Sequence, residues 1–138
     1  MGNYLNPGNE KFRRMIQSEI YVDKTGMIKY TNSVLDTAQN YVCVSRPRRF
    51  GKSMAANMLT AYYSRGCDSK KLFHSFEIAK DKDFEKYLNQ YNTIFLNMQE
   101  FLSMTHSMDE MLSMLQKYLI FDLMDHFETV RFRDEHNL

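Results

Sequence analysis

The chain has 138 residues, a length that suits one domain with enough sequence to bury a core. Hydrophobic residues make up 43% and charged residues 25%, a balance that excludes global disorder. The formal net charge of +1 excludes a global pull toward nucleic acid or membrane, so basic charge counts only where it clusters, at Arg46, Arg48, Arg49 and Lys52.

In chain order, Asn6-Pro7-Gly8-Asn9 reads as a turn. Phe12, Met15 and Ile16 then supply a short apolar face, one or two helical turns long. Residues 19–22 read as a short extended segment. Asp23 or Thr25 is suited to cap a helix reaching about Thr37, with Met27, Ile28, Val34, Leu35 and Ala38 on its buried face. Residues 41–45 form an apolar run with β-branched residues, the pattern of a strand. A helix predicted from about Gly51 to Tyr63 places Met54, Met58, Leu59 and Tyr62 on one side, and Gly66 can end it in a left-handed cap.

A short helical turn is expected over 69–73, and a further helix from Asp81 or Asp83 through Leu88. Asn89-Gln90-Tyr91-Asn92 breaks that helix. Residues 93–98 read as a second strand, nearly continuous in apolar character, as in a strand covered on both faces. Ser107 with Glu110 three positions on is a capping box, opening a long helix over about 108–127. Its apolar stripe is Met108, Met111, Leu112, Leu115, Leu119 and Leu123, and it is expected to lie as a layer on the sheet. Residues 129–138 form a polar tail, expected to be disordered.

The most informative stretch is 41–53: strand, basic turn, Gly51-Lys52-Ser53, then helix. This is the order by which phosphate-loop proteins hold a nucleoside triphosphate. The first N–H groups of a helix have no intrahelical partner, and the helix dipole adds partial positive charge there. Gly51 lets the backbone approach a phosphate, Lys52 would reach the β and γ oxygens, and the Ser53 hydroxyl would ligate Mg²⁺. The candidate nucleotide-binding residues are Arg48, Arg49, Phe50, Gly51, Lys52, Ser53 and Met54, with Ser53 the candidate metal ligand. The fold class this implies is α/β, part of a P-loop NTPase-type three-layer αβα fold with a parallel sheet. One position departs from the usual loop: Arg46 stands where the motif has its first glycine.

The flanking residues carry a family resemblance. Tyr21-Val22-Asp23-Lys24-Thr25-Gly26-Met27-Ile28, then Arg46-Pro47-Arg48-Arg49-Phe50-Gly51-Lys52-Ser53, then Leu72-Phe73, resemble the N-terminal part of the AAA-ATPase-like family of bacterial P-loop proteins. Residues 91–101 are similar to that family's next core strand. The resemblance runs from about Tyr4 to Phe127. It implies a loop that lacks the first glycine, ATP as the nucleotide, Mg²⁺ as its companion, and residues 1–128 as the N-terminal part of such a domain. It also implies that the acidic Walker B strand, and usually a nuclease-like C-terminal domain, follow the region seen here. The chain is thus expected to be the N-terminal portion of an ATPase.

The sequence offers two poor matches to the acidic strand. Ile94-Phe95-Leu96-Asn97 puts an amide where the carboxylate belongs, and Leu119-Ile120-Phe121-Asp122 lies within the predicted long helix. Whether ATP is hydrolysed stays open on these residues. Other readings also stay open: a degenerate loop that acts as a scaffold and binds no nucleotide, and a nucleic-acid-binding fragment using Arg46, Arg48 and Arg49. Asp23 reads as a helix cap, with Lys24 solvated, though by resemblance their backbone could lie near the base. Arg46 can point away from the phosphates, where the loop has little room.

His74, His106, His126 and His136 show no ligand spacing. Cys43 and Cys67 form no motif, and Cys43 is expected to be buried in its strand. The eleven methionines suit adaptable packing. No apolar leader or membrane-length run is visible, and a cytoplasmic location with no membrane partner is expected.

Overall fold

The computed structural model describes residues 2–18, 20–47 and 51–127. The polar tail 129–138 and the loop residues Arg48, Arg49 and Phe50 lie outside them. The chain divides into two compact units, Gly8–Thr93 and a second formed by Met1–Pro7 with Ile94–Leu138.

The Gly8–Thr93 unit is built from short helices: α1 (Glu10–Ile16), α2 (Gly26–Val34), α3 (Lys52–Tyr63), α4 (Lys70–Phe73), a 3-10 helix (Glu77–Lys80) and α5 (Phe84–Tyr87). Its core gathers Phe12, Ile28, Met58, Ala61, Tyr62, Phe73, Ile78, Phe84 and Leu88. Phe12 stacks on Phe73 at 4.9 Å between ring centroids, and Tyr62 meets Phe73 edge-on at 5.6 Å. The end of α3 is closed from a distance. Asn89, in the left-handed region at φ 55°, donates its amide to the carbonyls of Ala61 and Ser64 at 3.0 and 2.8 Å. These are the carbonyls a helix terminus leaves without internal partners.

In the other unit, α6 (Met98–Met104) packs on α7 (Met108–His126). Asn97 caps α6 by accepting the Gln99 N–H, and Ser107 caps α7 by accepting the Glu110 N–H at 3.1 Å. The Glu110 carboxylate closes the box one residue early, onto the His106 N–H at 3.0 Å.

The expected parallel sheet is absent among the described residues, so the three-layer αβα assignment is corrected to a helical one. Pairing is limited there to two isolated bridges, Leu5 with Ile94 antiparallel and Ser64 with Tyr91 parallel. A strand is stabilised by its cross-strand neighbours, and an apolar run without them has nothing to make it a strand. Residues 41–47 belong to no strand; Tyr41 is 94% exposed, and Cys43 is exposed rather than buried. The run 93–98 ends differently. The Phe95 N–H donates to the Tyr4 carbonyl at 2.9 Å, and Asn97 then starts α6, a helix the apolar run conceals in the sequence. The long helix accordingly packs on α6, with no sheet beneath it among the described residues. Among the described residues no helix is long and apolar enough to cross a membrane.

Candidate functional site

Gly51 is the residue before α3, and it sits at φ 82°, in the left-handed region where a side chain is strained. From there the chain turns into the helix, and the Ala55 N–H closes on the Gly51 carbonyl at 2.9 Å. Gly51 has no side chain to cap the N–H groups that open α3, and the first turn of α3 contains no acid. The ends of α6 and α7 are capped by Asn97 and Ser107, with Glu100, Asp109 and Glu110 in their first turns. The start of α3 therefore keeps the anion-favouring character of a helix N-terminus.

An open cleft of about 710 Å³ faces this end of α3. Among the described residues it is lined by the cations Lys24, Arg46 and Lys52, by Gly51 and Ala55, by Met27 and Tyr30 of α2, and by residues 42–45. No carboxylate is among the described lining residues. Arg46 thus belongs to the cleft wall. The segment 42–45, expected as a strand, serves as one side of the cleft. Lys52 and Ser53 are exposed, and Met54 is half-buried beside Gly51.

Lys24 is half-buried, which corrects the expectation that it is solvated. Its ammonium lies against Gly51, in the space a Cβ there would occupy. The neighbours of Lys24 explain how it is held. The Asp23 carboxylate accepts the Thr25 N–H at 2.8 Å and the Thr25 hydroxyl at 2.6 Å with one oxygen, and the Glu77 N–H at 2.9 Å with the other. The Thr25 hydroxyl in turn accepts the Ile78 N–H at 3.2 Å. Asp23 and Thr25 together satisfy the opening N–H groups of the 3-10 helix, so the expected cap exists but closes a different helix. Burial pushes the Asp23 carboxyl up, yet these hydrogen bonds and the Lys80 charge outweigh it and hold it below its ordinary value.

A buried polar network fixes α2 against α3. The Tyr62 hydroxyl donates to the Phe84 carbonyl at 2.7 Å and accepts from the Asn32 amide at 3.2 Å. Tyr63 donates to the Asn32 side-chain oxygen at 2.5 Å and its hydroxyl pairs with that of Thr31 at 2.7 Å. Burial, with Asn32 opposing it, pushes the Tyr62 phenol up to about 12. The two helices that bound the cleft are thereby locked together.

A second cleft in the same unit, about 830 Å³, has different chemistry. Its Lys29, Lys80 and Lys82 are matched by Glu77, Asp81 and Asp83, with Lys29 and Asp81 at 3.7 Å. Charge balance leaves it without the anion preference of the first cleft.

The two sequence matches to an acidic strand have structural roles. Asn97 caps α6. Asp122 is buried on α7 and accepts three successive backbone N–H groups, from Asn3, Tyr4 and Leu5, at 3.0, 3.1 and 2.7 Å. Burial raises its carboxyl, but these N–H groups and the nearby His126 prevail and hold it low. Among the described residues no three His, Cys, Asp or Glu side chains gather as a metal site.

Comparison with known proteins finds no match among curated proteins and none among solved structures. Residues 7–137 match the family described as Predicted AAA-ATPase. That span is nearly the whole chain, and the chain belongs to the AAA-ATPase-like family.

Proposed function

We propose that this chain binds ATP, with Mg²⁺, at the N-terminus of α3. The observation that carries the reading is the cleft itself, which Lys52, Arg46 and the opening turn of α3 line, with no carboxylate among the described lining residues. Such a site suits a polyanion, because oriented backbone N–H groups and fixed cations both favour negative charge. Gly51 permits the close approach, Lys52 neutralises the outer phosphate oxygens, and the apolar wall of Met27, Tyr30, Val42 and Val44 suits a base. Ser53, at the second position of α3, is placed in sequence to give a hydroxyl to Mg²⁺. One protein ligand fits this ion, which keeps several waters and takes the rest of its shell from phosphates. Membership of the family supports ATP as the nucleotide.

The reading is of binding. The described cleft lining offers no carboxylate to hold an attacking water. The test is thermal unfolding with and without Mg-ATP, in the wild type and in Lys52→Ala. A ligand at one hundred times its Kd stabilises the native state by about 2.7 kcal/mol. A wild-type midpoint that rises with Mg-ATP, and an exposed Lys52→Ala variant that folds but shows no rise, is the expected result. No rise in the wild type at millimolar Mg-ATP contradicts the proposal.

A further inference from the structure

The unit of Met1–Pro7 with Ile94–Leu138 holds eight Asp and Glu against three Lys and Arg, although the whole chain is near neutral. On its α7, Met114, Tyr118, Phe121 and Asp125 follow the spacing of one helix face. A cleft of about 200 Å³ opens there, lined among the described residues by Asn3, Tyr4, Tyr118, Phe121, Asp122 and Asp125. Asp122 accepts the Tyr4 backbone N–H at 3.1 Å, and the buried Phe101 ring lies 5.7 Å from that of Tyr4 and 6.2 Å from that of Tyr118. These contacts set two aromatic walls around the carboxylates. The Tyr4 phenol is held above its ordinary value, first by burial and then by Glu100, Tyr118 and Asp122. Phe121 and Met124 stay 54% and 57% exposed. An aromatic face attracts a cation, and the Lys117 ammonium, 6.0 Å from the Phe121 centroid, shows this ring accepting one.

We propose that this face of α7 docks a cationic amphipathic helix of a partner protein, with one Lys or Arg side chain seated in the cleft. Charge complementarity selects the occupant. Asp122 and Asp125 supply negative charge, Tyr4, Tyr118 and Phe121 supply ring faces, and the same acidic surroundings repel nucleic acid and anionic lipid. A cleft of about 200 Å³ is smaller than a small-molecule pocket and suits one side-chain head. The exposed Phe121 and Met124 side chains give the apolar face of the helix its contact, methionine being adaptable in such a role. The inference does not rest on the nucleotide reading.

The experiment titrates the full chain into a fluorescent leucine–lysine peptide of about 18 residues, patterned as an amphipathic helix, at about 0.15 M salt and reads anisotropy. The wild type is expected to bind it saturably and to leave a leucine–glutamate peptide of the same pattern unbound. Phe121→Ser and Asp125→Asn are each expected to weaken binding by about three- to tenfold. Leu112→Ser, at an exposed apolar position outside that face, is expected to change nothing. Asp125 is exposed, so its variant decides the matter even where Phe121→Ser does not fold. Unchanged affinity in either folded variant overturns the proposal, as does an equal loss in Leu112→Ser. A folded wild type that binds neither peptide, or binds both alike, also overturns it. Sedimentation of the chain alone is the last arm: a dimer that Phe121→Ser abolishes gives this face to a second copy and overturns the partner helix.

Discussion

The Asp23 carboxylate accepts the backbone N–H of Glu77 at 2.9 Å, joining residues 54 positions apart in sequence. Together with its bonds to Thr25, this makes Asp23 the joint between the approach to α2 and the 3-10 helix. Its carboxyl is held below its ordinary value, so its contribution is complete above the unfolded pKa, about 3.9, and is lost as pH falls through the lower folded value. Asp23→Ala is expected to cost about 1–2 kcal/mol at neutral pH, the carboxylate being partly exposed. Thermal midpoints between pH 2 and 7 check the sign: the gap between wild type and Asp23→Asn should narrow as the acid limit is approached. A gap that is constant with pH removes the assigned role.

Asp122 makes a parallel joint in the other unit, where it gathers the N–H groups of residues 3–5. Asp122→Ala strands three donors and is expected to cost about 2–4 kcal/mol. Amide hydrogen exchange reads this directly. The N–H groups of Asn3, Tyr4 and Leu5 should lose protection in the variant. A Cβ at Gly2 would also press on the Asp122 carboxylate, at 2.5 Å from one oxygen, so Gly2→Ala should disturb the same amides.

Gly51→Ala carries two penalties. Its φ of 82° is strained for alanine, and the added methyl displaces the Lys24 ammonium. A stability loss of about 1–2 kcal/mol is expected, with a fall in Mg-ATP affinity that exceeds what the stability change alone implies. Equilibrium urea unfolding and a Mg-ATP titration on the same variant separate the two effects. Unaltered affinity would show that the Gly51 turn does not contact the ligand.

Tyr62→Phe removes the hydroxyl that serves both the Phe84 carbonyl and the Asn32 amide. The ring stays, so the aromatic core is kept while two buried polar groups lose a partner. The expected loss is about 1–3 kcal/mol, read from the urea midpoint at constant slope. A variant as stable as the wild type would mean that the network linking α2 and α3 carries little energy.

The sequence showed the helices more clearly than the rest, for physical reasons. Apolar spacing located α1, α2 and α3, because a helix satisfies its own backbone and depends mainly on one buried face. The runs at 41–45 and 93–98 looked like strands by composition, but a strand depends on neighbours that composition does not contain. Asn97 was the sign of α6, since an asparagine before a helical pattern is a cap; the apolar residues around it hid that sign. Asp122 was dismissed as a site residue without its structural role being found. Its position, three residues after Leu119 and eleven after Met111, places it on the buried face of α7, where a carboxylate must be satisfied by donors.

The phosphate-loop motif drew attention to Lys52 and Ser53, and the cleft does form at that end of α3. Arg48, Arg49 and Phe50, also expected to bind nucleotide, lie outside the described residues. Lys24 was missed because its contact with Gly51 spans 27 positions and depends on the clamp by Asp23 and Thr25. The alternation Asp-Lys-Thr, with two short polar residues flanking a cation, was the available signal. Arg46, which stands where the motif normally has glycine, is a lining residue of the cleft.

The most direct measurement is a Mg-ATP titration followed by ¹H–¹⁵N correlation spectra of the backbone amides. The account predicts saturable shifts concentrated at Gly51, Lys52 and Ser53, with smaller ones at Lys24 and Tyr30. Saturable binding that leaves the Gly51, Lys52 and Ser53 amides unmoved would contradict it, as would a folded protein whose spectrum Mg-ATP does not change.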